Sequence, residues 1–199
     1  MSAYNLDLSS ETIEQLGAFY SLLNHWNERL HLVAPCSPEE FATRHVLESL
    51  MLLPHLPQNA KIADIGSGGG LPIIPCLIAR PDLEATLIES SKKKAVFLRE
   101  ALSRLGLHAV IRAEPFEDFP APQVSFVTCR ALEQFMRKLQ ALINWAPRGS
   151  MLLLFGGETL GEQLKRASVN FEQLLIPGSE KRFLFLATDE RGLFTNHRE

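Results

Sequence analysis

The chain has 199 residues and a formal net charge of −3, with 46% hydrophobic and 22% charged residues. This composition is typical of one globular domain with a substantial core, and its mildly acidic balance disfavours a broad nucleic-acid-binding surface. No apolar run is long enough to span a membrane, and the three cysteines, Cys36, Cys76 and Cys129, lack zinc-binding spacing. We therefore expect a cytoplasmic protein with no metal, no DNA partner and no membrane partner.

Two helices are predicted before the chain begins to alternate. Ser9 or Ser10 can cap the first helix. Its apolar residues recur at helical spacing: Ile13, Leu16, Tyr20, Leu23, Trp26 and Leu30. Ser37 and Glu40 match a capping box that starts a second helix, which we expect to run to about Leu53. We interpret residues 1–56 as a helical cap on the main domain, residues 57–199.

From residue 61 onwards, buried strands and amphipathic helices alternate. The predicted strands are 61–65, 85–89, 108–112, 124–128 and 150–155. The predicted helices are 72–80, 91–105, 133–145 and 158–168. Two final strands, 171–176 and 182–187, flank Pro177-Gly178-Ser179 and should pair antiparallel. We therefore predict an α/β fold with a doubly wound, Rossmann-like sheet, mostly parallel, that ends in an antiparallel hairpin.

A glycine-rich turn follows the first predicted strand. Gly66 and Gly68 fit the first two positions of the dinucleotide fingerprint G-x-G-x-x-G, but Leu71 occupies the third. The glycines continue instead as a triplet that ends at Gly70. Glycine lets the backbone turn sharply and approach a ligand closely. The spacing therefore favours a nucleotide-cofactor site but disfavours an NAD-dependent dehydrogenase.

Two acidic residues accompany this turn. Asp64 lies two residues before Gly66, and Glu89 ends the second strand, where a carboxylate can accept both ribose hydroxyl protons. This arrangement resembles the S-adenosylmethionine (SAM) site of class I methyltransferases. SAM carries a sulfonium and an ammonium but no phosphate, so an acidic residue beside the turn suits it.

Several further motifs, in the same order along the chain, resemble the RsmG (GidB) family. They are Trp26-Asn27, Arg44-His45-Val-Leu-Glu-Ser49, Asp64 to Pro75 with Pro72, Leu87-Ile-Glu-Ser90 with Lys94, Glu117-Asp-Phe119 and Cys129-Arg-Ala131. The resemblance implies a class I fold and SAM-dependent methylation of guanine N7 in 16S ribosomal RNA. It also implies small-subunit rRNA or the 30S particle as partner. We expect the protein to act as a monomer.

The resemblance assigns roles to individual residues. Gly66 and Leu71 correspond to cofactor-loop contacts, and Phe116 with Glu117 corresponds to a pair beside the adenine. Arg130 corresponds to an arginine assigned to the cofactor or the active site, so it is the candidate catalytic residue. The general class I pattern adds four cofactor-binding candidates: Asp64, Gly68, Gly70 and Glu89.

The chain departs from the family pattern at three positions near this site. Pro115 and Gly156 stand where the family has arginine and lysine, and Cys129 replaces a serine. Cys129 resembles the covalent cysteine of cytosine methyltransferases, but a lone cysteine at a strand end favours a small buried residue. Two other interpretations stay open: a SAM methyltransferase with another substrate, and a non-catalytic RNA- or ribosome-binding module.

Overall fold

The sheet follows the order β3-β2-β1-β4-β5-β7-β6 in a computed structural model that describes residues 7–130 and 135–188. Its strands are β1 Lys61–Ile65, β2 Glu84–Ile88, β3 Ala109–Arg112, β4 Phe126–Arg130, β5 Met151–Gly156, β6 Asn170–Leu175 and β7 Phe183–Thr188. The first five strands pair in parallel, and β7 pairs antiparallel with both β5 and β6. The strand order reverses between β1 and β4, which is where an open α/β sheet forms its ligand crevice.

Helices cover both faces of the sheet. Their bounds are α1 Ser10–Leu30, α2 Pro38–Phe41, α3 Glu48–Leu50, α4 Ile73–Ala79, α5 Lys92–Arg104, α6 Phe135–Trp145 and α7 Glu158–Arg166, with short 3₁₀ turns at Leu53–His55 and Phe116–Asp118. One buried cluster joins α1, α4 and α5 to the sheet, and a second joins α6 and α7 to the opposite face. Among the residues with described coordinates, no helix is both long and apolar enough to cross a bilayer.

The predicted elements agree closely with these bounds. β4 lies two residues later than predicted, so Arg130 is its last residue. The predicted start of the helix at 133–145 and Ala131 lie outside the described residues. The antiparallel hairpin is confirmed, and with it the predicted fold class.

The cap begins as its sequence predicts. The Ser9 hydroxyl accepts from the backbone N–H of Thr12 at 3.1 Å, and Ser37 and Glu40 form both bonds of the capping box. Trp26 packs against Phe97 of α5, as the helical spacing predicted. Because cap residues share one buried cluster with the sheet, the hydrophobic effect holds the two parts together. The boundary after residue 56 stays a prediction.

The second helix differs from its prediction. It widens into a π-helical segment, Ala42–Leu47, between α2 and α3, and it ends at Leu50 rather than near Leu53. A π turn leaves backbone groups displaced from the regular ladder, and such segments often accompany functional sites. The segment carries Arg44 and His45, and their carbonyl groups accept hydrogen bonds from the sheet.

Candidate functional site

A cavity of about 490 Å³ opens at the carboxyl ends of β1, β2 and β4. The glycine turn forms its floor, the ends of β2 and β4 contribute Glu89 and Arg130, and the cap closes one side. Five of the predicted site residues line it: Gly66, Gly68, Leu71, Glu89 and Arg130. Residues from α1's end, the π-helical segment and α5 also line it: Leu32, Val33, Ala34, His45 and Lys94.

The glycine turn depends on backbone angles that favour glycine. Gly66, Gly68 and Gly70 have φ values of 70°, 48° and 78°. A Cβ atom on Gly70 would lie 2.3 Å from Cδ1 and 2.8 Å from Cγ1 of Ile74, which is fully buried. Glycine is therefore required at position 70, both for the backbone conformation and for the space beside Ile74.

Glu89 shapes this turn as well as facing the cavity. Its carboxylate accepts from the backbone N–H of Gly68 at 2.8 Å and from that of Ser91 at 2.7 Å. Its exposed fraction is only 6%. A carboxylate has about four acceptor positions, so two bonds to the backbone leave capacity for a ligand.

Asp64, two residues before the turn, is fully buried and is not among the residues that line the cavity. Within the described part of the chain, neither of its carboxylate oxygens has a hydrogen-bond partner, although the Ser67 hydroxyl donates to its main-chain carbonyl at 3.0 Å. Burial raises the pKa of Asp64 to about 7, and the negative charge of Glu89 adds to the shift. A buried acid without a partner is costly unless a cation or donor completes the site.

Arg130 joins the sheet to the cap. Its guanidinium donates to the carbonyl groups of Arg44 at 2.7 Å and His45 at 3.4 Å, to Nδ1 of His45 at 3.2 Å, and to Glu48 at 3.1 Å. Arg182 also donates to Glu48, whose side chain is 3% exposed. The guanidinium predicted to act in catalysis thus directs both of its terminal nitrogens to the cap.

Asn27 explains how the cap supplies one wall of the cavity. Its side-chain amide donates to the carbonyl of Val33 and accepts from the N–H of Val33, both at 3.0 Å. These bonds fix the turn after α1, and Val33 lines the cavity. The sequence analysis used the Trp26-Asn27 motif only as part of the family resemblance. In the structure, Asn27 of this motif fixes the turn after α1.

Phe116 and Glu117 are not among the residues that line the cavity. The Phe116 ring is buried against Trp145, with ring centroids 5.6 Å apart, and Glu117 pairs with Lys138 at 2.6 Å. Their adenine contact stays a prediction that rests on the resemblance.

Gly156 is the last residue of β5, at the carboxyl end of the parallel strands, and a side chain there would meet α7. A Cβ atom would lie 2.5 Å from Cδ2 and 3.0 Å from Cβ of Leu160, which is buried. A lysine at this position would therefore require Leu160 of α7 to move. Cys129 is fully buried in the second core cluster, in agreement with a small core residue.

The contact between Glu48, which belongs to the Arg44-to-Ser49 motif, and Arg182 was not predicted. They lie 134 positions apart, and neither belongs to a pattern that indicates the contact. The adjacent Arg44-His45 pair was the available signal for this part of the cap.

The strand order and the glycine-turn cavity define a class I methyltransferase fold, and solved structures agree. A SAM-dependent methyltransferase from Aquifex aeolicus matches with a TM-score of 0.61 at 13% identity, covering 77% of this chain and 94% of that one. The tRNA methyltransferase TrmK from B. subtilis matches with a TM-score of 0.56 at 15% identity, covering 74% and 66%. At such low identity these likenesses show the fold alone.

Sequence comparison then identifies the family. The family model GidB, described as rRNA small subunit methyltransferase G, matches residues 12–188. Two relatives carry the name ribosomal RNA small subunit methyltransferase G. The Sorangium cellulosum protein is 37% identical over 84% of this chain and 74% of its own length, and that of Methylobacillus flagellatus is 34% identical over 91% of each. The chain belongs to the GidB family.

Proposed function

We propose that this protein transfers a methyl group from SAM to N7 of a guanine in 16S rRNA. The observation that carries the proposal is the cavity that the glycine turn and Glu89 line at the end of β1. The strand also carries the buried Asp64, whose carboxylate oxygens have no hydrogen-bond partner among the described residues. Family membership supports the rRNA substrate, because the relatives are named for small-subunit rRNA methylation. A ribosomal substrate also supports a cytoplasmic location.

The residues present fit SAM. The cofactor contains two cationic groups, and within the described residues the carboxylate of Asp64, two positions before the turn, has no hydrogen-bond partner. Glu89 keeps acceptor capacity for ribose hydroxyls, while Gly66, Gly68 and Leu71 line the approach for the rest of the molecule. When bound, SAM supplies an electrophilic methyl group. We assign the adenine to Phe116 and Glu117 on the resemblance alone.

Methylation of guanine N7 requires the protein mainly to position the base and the methyl donor. N7 has a lone pair and no proton, so no general base is required, and holding the reactants in line supplies most of the rate. We propose that Arg130 acts as a positioning residue, because its donors hold the cap segment beside the cavity. Cys129 is buried in the core and has no assigned chemical step.

The charge around the cavity suits a local RNA footprint. Lys94 lines the cavity, Lys92 and Lys93 are exposed beside it, and Arg44 is exposed on the cap. The net charge of the whole chain is −3, so a basic contact surface for RNA has to be local. Phosphate contacts of this kind supply affinity that falls with added salt.

The test uses 30S subunits and free 16S rRNA from a strain that lacks this gene, incubated with purified protein and SAM. We expect mass spectrometry of the digested RNA to detect 7-methylguanosine at one position with wild-type protein. The Glu89→Ala variant should give much less product. Methylation of another nucleoside would indicate a different substrate specificity. RNA binding with no methylation, despite SAM binding, would instead indicate a binding module.

A further inference from the structure

His45 is the polar cap residue that both lines the cavity and contacts Arg130. Its Nδ1 lies 3.2 Å from a guanidinium nitrogen of Arg130, and its ring packs on Phe41 with centroids 5.4 Å apart. The ring is half-buried. Within residues 7–130 and 135–188, the other ring nitrogen, Nε2, makes no hydrogen bond.

The contact with Arg130 determines where the imidazole proton lies. A guanidinium has only donors, so a hydrogen bond at this contact requires Nδ1 of His45 to accept and assigns the proton of the neutral ring to Nε2. Burial lowers the pKa of His45 to about 4, with the charges of Arg130 and Arg44 adding to the effect. His45 is therefore a neutral ring at pH 7 that presents one donor.

A single neutral donor beside this cavity matches one feature of the target base. The Hoogsteen edge of guanine offers N7 and O6 as acceptors, whereas adenine has an N6 amino donor in place of O6. When N7 is the atom that becomes methylated, its lone pair is no longer available for recognition, and O6 remains. A neutral donor also avoids placing a further positive charge beside a purine that becomes cationic.

We infer that His45 is the residue that selects guanine, with its Nε2–H donating to O6 of the target base. The inference rests on the proposed guanine-N7 activity. Arg130 is then a positioning residue that sets the tautomer, and Glu48 holds Arg130 in place through a buried ion pair at 3.1 Å. With adenine at the same place, the N6 amino group would face the Nε2–H group. Both groups are donors, so neither would have an acceptor.

Two substitutions separate the two ends of the ring. Asparagine at position 45 keeps an acceptor near Nδ1 for Arg130 but has no group near Nε2. Glutamine reaches the Nε2 position and can donate there. On 30S subunits from the strain lacking this gene, we expect His45→Asn to lower kcat/KM about tenfold or more, and His45→Gln to lower it less than about threefold. His45→Ala is a second variant without the donor.

Two further measurements, base selectivity and the tautomer of His45, distinguish base recognition by His45 from a purely structural role. We compare kcat/KM for subunits with guanine at the target position with kcat/KM for subunits that carry adenine there. The ratio of the two values should fall about tenfold in His45→Asn and should stay near the wild-type ratio in His45→Gln. Calorimetry should show unchanged affinity for S-adenosylhomocysteine in both variants. Nitrogen-15 NMR of the free protein should show a protonated Nε2 and an unprotonated Nδ1 at pH 7.

The outcomes distinguish this inference from the proposed function. Wild-type protein that makes no 7-methylguanosine contradicts the proposed function, whatever His45 does. Wild-type activity with unchanged selectivity in His45→Asn and His45→Ala overturns the role of His45 and leaves the function intact. A loss in His45→Gln with none in His45→Asn, a proton on Nδ1, or a parallel loss of S-adenosylhomocysteine affinity overturns it too.

Discussion

The carboxylate of Glu89 accepts a hydrogen bond from the backbone N–H of Gly68 at 2.8 Å, which ties the end of β2 to the turn after β1. The other carboxylate oxygen accepts from Ser91 at the start of α5. One side chain therefore shapes two elements around the cavity before any ligand binds. Removing it should affect both the turn and the cofactor.

Glu89→Ala should raise the Kd for S-adenosylhomocysteine about 10- to 100-fold, because it removes charge-assisted bonds to the ribose and to the turn. Calorimetry measures the affinity, and hydrogen exchange should show faster exchange of the Gly68 amide. Glu84→Ala is the matched control, since Glu84 begins the same strand and forms only an exposed pair with Lys61 at 3.3 Å. Equal affinities of wild type and Glu89→Ala would remove the ribose assignment.

Gly70→Ala should lower the free energy of unfolding more than an alanine at another glycine with a positive φ does. The φ of Gly70 is 78°, and a Cβ there meets Ile74, whereas Gly149 has a φ of 76° and open space around its Cβ position. We expect Gly149→Ala to cost about 1–2 kcal/mol and Gly70→Ala about 1–3 kcal/mol more, from overpacking. Urea unfolding measures both, and equal losses would show that Ile74 moves aside freely.

Asp64→Asn should change how stability depends on pH. In the unfolded chain the carboxyl ionises near its ordinary pKa of 3.8, whereas in the folded protein burial raises the pKa to about 7. The folded state therefore holds the extra proton between these values, so the contribution of Asp64 to stability falls as pH rises through this window and levels off above it.

Because asparagine does not titrate, the stability of wild type relative to Asp64→Asn should fall by on the order of 3 kcal/mol from about pH 4 to pH 8. Urea unfolding of both proteins at several pH values measures this difference. Parallel curves would mean that Asp64 is ionised or solvated in the folded protein. The variant should also bind S-adenosylhomocysteine more weakly if Asp64 faces its ammonium group.

Glu48→Gln should be strongly destabilising. Glu48 is buried and pairs with both Arg130 and Arg182, so losing its charge leaves two cations close together without a counter-ion. We expect the free energy of unfolding to fall by about 3–5 kcal/mol. Glu84→Gln breaks an exposed pair and should cost less than about 1 kcal/mol. A similar small loss in both variants would show that the cap is held by apolar contacts alone.

The sequence by itself determined the order and bounds of nearly all the elements. Ser9 and the Ser37 capping box start their helices as predicted, because the caps satisfy backbone donors within a few residues. The final hairpin follows from the turn at Gly178, whose φ is 74°. The positions of Asp64 and Glu89 at adjacent strand ends also follow, since parallel strands bring their carboxyl ends to one edge.

Only the tertiary structure decided how these parts act on one another. The π-helical segment has no local signal in the sequence, and its carbonyl groups meet Arg130 from 85 or 86 positions away. Glu48 of the cap meets Arg182 just before β7, and Leu160 fills the space beside Gly156. Local sequence patterns predict caps, turns and periodic burial, because these features depend on residues that are neighbours in the chain. The pairing of charges, the tautomer of His45 and the space at a glycine depend on which distant atoms the fold brings within a few ångströms.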